Sequence, residues 1–198
     1  MNPKKSHPTR ALIVSCALKQ ATNIGLEGIS LGGIAAAISM SKSGLFAHFK
    51  SKEALQLAVV DAAAALFQEV VLTPAQQSAE GLAQLRALYM HYLDWMAGSG
   101  GLATCPFTVF AQEYDGRPGV IKDRLIAFER QWRRALAKPA EDAIDLGELP
   151  PDSEPKQIAF ELIGLAFSFQ VSHSLLEAAN ARKQAVMGFE RITAHSTK

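Results

Sequence analysis

Apolar residues recur at spacings of three and four along almost the whole chain, and no stretch alternates over the length of a strand. Over residues 9 to 24, Leu12, Ile13, Cys16, Ala17 and Ala21 form one such stripe, and Gly25 follows as a left-handed cap. Leu31, Ile34, Ala35 and Ile38 mark a short second helix, with Ser30 placed to accept from an orphan amide of its first turn. Ser39-Met40-Ser41 is a turn, after which Ser41 caps a third helix whose inward side is Leu45 and Phe49. Ser51 then caps a long helix from Lys52 to about Leu72. Leu55, Leu57, Val59, Ala62, Ala63, Leu66, Phe67 and Val70 give it more than one apolar face, and Thr73-Pro74 is its predicted stop.

The same period continues. Ser78 to Ala97 carries Leu82, Leu85, Leu88, Tyr89, Tyr92, Trp95 and Met96 inward, and Gly98-Ser99-Gly100-Gly101 breaks it. Cys105-Pro106 opens a short aromatic helix from Phe107 to about Tyr114, closed by the turn Asp115 to Gly119. Ile121, Leu125, Phe128 and Trp132 define a helix from Val120 to near Leu136, which Pro139 kinks or divides. A proline-rich loop at 149–155 leads into an apolar helix, and Arg182 to His195 forms the last one. The expectation is an all-α protein of about nine helices, with a three-helix head over 1–52 and a larger helical domain over 53–198.

The stretch from Ile158 to Leu176 approaches the length of a membrane span, about 20 residues. Glu161, Gln170 and His173 inside it make it a poor one. A soluble helix apolar nearly all round must be covered on both sides. One side can face its own core and the other a second subunit.

The formal net charge of +1 conceals an asymmetry. Residues 1 to 52 hold Lys4, Lys5, Arg10, Lys19, Lys42, Lys50 and Lys52 against Glu27 alone, whereas the remainder holds 13 basic and 18 acidic side chains. A basic head on an acidic body is the footprint of a nucleic-acid contact confined to one end. The two cysteines, Cys16 and Cys105, have neither the number nor the spacing of a disulfide framework or a zinc site, so no metal or cofactor is expected. Met1 to Thr9 is polar and basic, unlike a secretory leader, which leads to the expectation of a cytoplasmic protein.

The second and third short helices with their tight turn read as a helix-turn-helix. Lys42, Ser43 and Gly44, at the start of the third helix, are small or basic, which suits close approach in the major groove. Ile34, Ala35, Ser41, Lys42, Leu45, Phe46, Phe49, Ser51, Lys52, Glu53 and Leu55 follow the pattern I-A-x5-S-K-x-x-L-[YF]-x-x-F-x-S-K-E-x-L. In these residues the chain resembles the TetR family of bacterial transcriptional repressors. The resemblance covers about the first third of the chain.

That resemblance implies that Lys42, Ser43 and Gly44 approach bases, with Phe46 and His48 near the DNA backbone and Lys52 and Ser30 on phosphates. Ser41 belongs to the same surface, though Ser30, Ser41 and Ser51 also serve as plain caps. Four positions depart from the family's habit. Phe46 stands where Tyr is frequent, Ser39 replaces a common turn glycine, and Gly32 and Gly33 replace charged residues. If the backbone at Ser39 stays left-handed, the turn carries about 1 kcal/mol of strain.

The family's larger domain holds a ligand pocket, for which the candidates here are Tyr92, Trp95, Met96, Phe107, Phe110, Tyr114, Phe128, Trp132, Phe167 and His173. The concentration of aromatic residues from Tyr92 to Tyr114 beside a glycine-rich break suits an apolar cavity with few polar handles. The expected function is a homodimeric repressor, paired through the last two helices over about 156–194. An apolar or aromatic small-molecule effector would release it from a double-stranded, near-palindromic operator. No Ser/His/Asp order, glycine-rich phosphate loop or metal spacing points to an enzyme. Two alternatives stand beside this one: a redox-sensing regulator acting through Cys105, and a nonspecific architectural DNA-binding protein.

Overall fold

The computed structural model describes residues 6–194, with side chains from Thr9 onward; Lys4, Lys5 and His195 lie outside the described residues. Among the described residues there are nine helices and no strand, so the all-α expectation holds. In chain order they are α1 (Ser6–Gly28), α2 (Leu31–Ala37), α3 (Lys42–His48), α4 (Lys52–Phe67), α5 (Leu82–Met96), α6 (Pro106–Tyr114), α7 (Val120–Asp145), α8 (Pro155–Gln170) and α9 (Ala181–Ile192).

The chain forms two compact units. The first comprises Met1–Leu66 and Leu102–Phe128, and the second Phe67–Gly101 and Glu129–Lys198. In the first unit, α1 packs on α2 and α6, and α2 packs on α3. Its core is Ile13, Ala17, Leu26, Ile29, Ile34, Leu45, Phe49 and Leu55, all essentially inaccessible to water. Each large member contributes about 1.5–3 kcal/mol by leaving water. The stripe of α1 is rotated from the one predicted. Val14 and Leu18 are buried, and Leu12 is 55 % exposed. Arg10 lays its guanidinium over the Phe49 ring, 4.5 Å from its centre.

In the second unit, α8 packs on α5 and α9, and the tail of α4 packs on α5. Phe67, Tyr92, Trp95 and Trp132 meet there in edge-on and tilted pairs with ring centres 4.8 to 6.1 Å apart. Such offset geometry suits the quadrupoles of the rings. Tyr89 stacks on Phe189 at 5.3 Å and donates its hydroxyl to the Ala185 carbonyl at 3.3 Å, tying α5 to α9.

Several boundaries differ from expectation, each for a local reason. The helix from Lys52 does not stop at Thr73-Pro74 but passes through a π turn, Gln68–Leu72, into Thr73–Ala75. There the Thr73 amide bonds to the Gln68 carbonyl five residues back. A widened turn just before Pro74 accommodates its missing N–H and bulky ring. Pro139 likewise neither ends nor divides α7, and it is buried, as are Leu136 and Ala140. Helix α5 starts at Leu82 rather than Ser78 because the Glu148 carboxylate, far along the chain, accepts the Leu82 amide at 2.7 Å.

By length and composition Lys52–Ala75 and Pro155–Leu175 could each cross a membrane. In the fold both bury one face as core helices: Val59, Ala63, Phe67 and Val71 on the former, Ile158, Leu162, Ala166 and Phe169 on the latter.

Candidate nucleic-acid interface

The pair α2 and α3 is set by three caps and one turn. Ser30 Oγ accepts the Gly33 amide at 3.0 Å, Ser41 Oγ the Gly44 amide at 3.1 Å, and Ser51 Oγ the Ala54 amide at 3.1 Å. Each satisfies an orphan donor, worth about 1 kcal/mol over alanine. Helix α2 ends with the Met40 amide on the Ala35 carbonyl (2.8 Å) and the Ser39 amide on the Ala36 carbonyl (3.1 Å). This double bond pattern needs a left-handed residue between, and Ser39 supplies it at φ +54°. The strain expected at this serine is therefore present.

With Leu45 and Phe49 anchored in the core, the other side of α3 is left to solvent. Ser41, Lys42, Ser43 and Phe46 are exposed, and Gly44 and His48 half-buried. The carbon chain of Lys42 lies beside Gly32, where an added Cβ would come within 3.4 Å of its Cε. Gly44 has a reason within the protein itself: a Cβ there would sit 3.0 Å from Ser41 Oγ and 3.3 Å from Met40 Cγ, crowding the cap.

Lys52 is not free for phosphate in this arrangement. Its ammonium donates to the Glu27 carbonyl at 2.6 Å and to Glu27 Oε2 at 3.0 Å. Glu27 is the hub of a latch within the first unit. Tyr114 donates its hydroxyl to Glu27 Oε1 at 2.6 Å, Gln56 donates to the same oxygen at 3.0 Å and to the Leu26 carbonyl at 2.8 Å, and Arg117 stands 3.8 Å away. The Tyr114 bond, followed by the Lys52 contact, holds the Glu27 carboxyl down to about 2. Burial, and then the bond to that carboxylate, push the Tyr114 phenol up.

One residue before Tyr114, the Glu113 carboxylate accepts the Leu26 amide at 2.7 Å and the Glu27 amide at 2.9 Å, just past the kink at Gly25 (φ +76°). A Cβ on Gly25 would meet Glu113 Oε1 at 2.7 Å. None of these latch residues except Lys52 and Tyr114 was singled out from the sequence, and those two only for contacts with other molecules. The one local signal was Glu27, the lone acidic side chain among the first 52 residues.

The predicted ligand residues fall into three groups. Tyr92, Trp95, Met96 and Trp132 are buried in the second unit, where the Trp132 indole N–H makes no hydrogen bond. An unmet buried donor costs about 1–3 kcal/mol. In the first unit, Phe107 stacks on Phe128 at 3.5 Å and meets Phe110 edge-on at 6.4 Å, while Tyr114 belongs to the latch. Phe167 and His173 are exposed. Phe167 lies in a row on the outer side of α8 and its extension, with Phe160, Gly164, Val171 and Leu175, of which Leu175 is 76 % exposed.

Two clefts open on the second unit, of about 640 and 330 Å³, and none of the predicted ligand residues lines either. Cys105 is 4 % exposed at the start of α6, and Cys16 is half-buried; neither is in a disulfide. Asp94 pairs with Arg182 at 2.5 Å. Among the described residues no three His, Cys, Asp or Glu side chains converge as a metal site.

Residues 13–59 match the family model described as bacterial regulatory proteins, tetR family, and residues 81–189 match tetracyclin repressor-like, C-terminal domain. Comparison with curated proteins gives no match. Among solved structures the chain is similar to a TetR transcriptional regulator from Chloroflexus aurantiacus J-10-FL (24 % identity, TM-score 0.88, covering 97 % of this chain and 98 % of that one). A TetR-family regulator from Cytophaga hutchinsonii is similar over the full length of both chains (20 % identity, TM-score 0.83). AibR, solved in complex with isovaleryl coenzyme A and operator DNA, is similar at 23 % identity and TM-score 0.73, over 93 % of this chain and 97 % of that one. These likenesses show the fold. The family models go further, the second alone spanning more than half of the chain, and with the capped helix-turn-helix they make this protein a member of the TetR family of bacterial transcriptional regulators.

Proposed function

We propose that this protein is a homodimeric repressor that leaves a near-palindromic operator when a small molecule binds its larger domain. The observation that carries this reading is the first turn of α3: Lys42 and Ser43 stand exposed on a helix whose opposite side is sealed by Leu45. In the major groove that turn brings Lys42, Ser43 and Gly44 to base edges, with Ser30, Ser41, Phe46 and His48 toward the sugar-phosphate backbone. Lys52 joins them by exchanging Glu27 for a phosphate.

The row Phe160, Phe167, Val171 and Leu175 supports pairing through the last two helices, since an apolar face of this kind is stable when a second copy covers it. Two α3 helices then address half-sites about 34–36 Å apart. The effector has an apolar or aromatic body, suited to Tyr92, Trp95, Met96 and Trp132, and carries an acceptor atom for the unmet Trp132 N–H. AibR, of the same fold, binds an acyl coenzyme A, which supports an effector of mixed character. Such a ligand acts by preferring the geometry released from DNA, transmitted along the helix that begins at Lys52. The protein works in the cytoplasm as a regulator without catalysis.

The test is a footprint on DNA flanking its own gene, at stated salt. Protection of two half-sites related by a two-fold axis is expected. Protection without that symmetry, or equal binding to random competitor DNA, overturns the reading.

A further inference from the structure

The larger cleft of the second unit, about 640 Å³, lies between α7 and the first turns of α8. One helical face of α7 contributes Arg130, Arg133, Arg134, Ala137, Lys138 and Glu141, and α8 contributes Lys156, Gln157, Ala159 and Phe160. Five cations thus face one carboxylate. Arg133 is engaged with Glu129 at 2.8 Å and Lys138 with Asp142 at 2.6 Å, the latter bond holding the Lys138 ammonium pKa up. Arg130, Arg134 and Lys156 have no ion-pair partner among the described residues.

Lys156 sits at the second position of α8, where the helix dipole disfavours a cation. An anion in the cleft reverses that penalty by meeting the ammonium; Pro155 has no N–H and the Gln157 and Ile158 amides already bond to the Glu154 carbonyl, so side chains supply the contact. The walls are not uniformly polar. Phe160 is 60 % exposed, and Ala137 and Ala159 form an apolar floor. The volume falls in the usual range for small-molecule sites, roughly 300–1,000 Å³, and far exceeds what a bare oxyanion fills.

We infer that this cleft is a binding site for an amphipathic small anion, a phosphate monoester carrying an apolar chain. Arg130, Arg134 and Lys156 hold the head, and Phe160 with the two alanines holds the chain. The site shares no residue with the buried aromatic cluster of the second unit, but it shares Phe160 with the outer row of α8 read above as the subunit contact, so it rests on that contact leaving Phe160 open to the cleft. Planar guanidinium groups bind phosphate through paired charge-assisted hydrogen bonds, which makes the arginines the anchor.

Calorimetric titration of the full-length protein tests this directly, with octyl phosphate as probe and butyl phosphate, octanol and inorganic phosphate beside it. Octyl phosphate is expected to bind at least about tenfold tighter than each of the other three, and to weaken as salt rises. The double variant Arg130→Gln/Arg134→Gln, changed only at exposed side chains, is expected to lose about tenfold or more. Unchanged affinity in that variant, or octanol binding as well as octyl phosphate, overturns the proposal. So does a variant whose subunit association changes while its octyl phosphate binding does not, because the cleft then belongs to a second copy of the chain.

Discussion

Two helical surfaces of this protein face solvent with opposite chemistry. The leading turn of α3 offers Lys42, Ser43 and a serine-capped backbone, whereas the outer row of α8 offers Phe160, Phe167, Val171 and Leu175. The first is a surface that water tolerates and phosphate improves; the second is one that water penalises until something covers it. The difference teaches where affinity comes from in each contact. A polar turn reads its partner through a few directional bonds. An apolar row selects by area and shape, and a single buried charge destroys it.

Breaking the apolar row has the largest expected effect. Phe167→Glu combined with Val171→Glu places two charges on it, so the protein sediments as a monomer and loses about 100-fold or more in operator affinity with the second half-site. Sedimentation and gel-shift titration check this together, and a variant that stays dimeric would remove α8 as the subunit contact. Next is the polar turn. Lys42→Ala is expected to weaken operator binding by about 1–3 kcal/mol if the ammonium reads a base. A salt slope lowered by about one with unchanged sequence preference would instead make it a phosphate contact.

A smaller effect concerns the latch. Glu27 is held at about 2 in the folded protein against an ordinary 4.5, so its contribution to stability is complete above the ordinary value and fades as pH falls toward 2. With more than a third of the side chain exposed, solvent screening leaves about 1 kcal/mol. Denaturant melts of Glu27→Gln and the parent should therefore differ at neutral pH and converge near pH 2; a constant difference would deny the carboxylate this role. The smallest effect is Ser39→Gly. Relief of a left-handed serine, partly offset by the freer unfolded chain, is expected to raise stability by about 0.5–1 kcal/mol without touching the operator contacts. A thermal melt decides it.

What the sequence made legible were the features that close over a few residues. The caps at Ser30, Ser41 and Ser51, the left-handed turn at Ser39 and the inward pair Leu45 and Phe49 all follow from neighbours within one helical turn. What it hid were helix starts capped from afar. Glu148 sets the beginning of α5 across 66 positions, and Glu113 accepts the Leu26 amide, the first after the kink at Gly25, across 87. No local period carries such pairings. The ligand candidates show the same limit. Helical spacing marks Phe167 and His173 as apolar-face residues, but a helix apolar on two sides has no local sign saying which side meets its own core.

The carboxylate of Glu113 occupies the space that any side chain at position 25 would need. These two positions, 88 residues apart, are therefore not independent heritable units. A larger residue at 25 requires a lineage in which 113 has been shortened, another group answers the amides of Leu26 and Glu27, and the backbone at 25 leaves its φ of +76°. Among divergent descendants of this chain, glycine at one place and glutamate at the other should be inherited together or lost together.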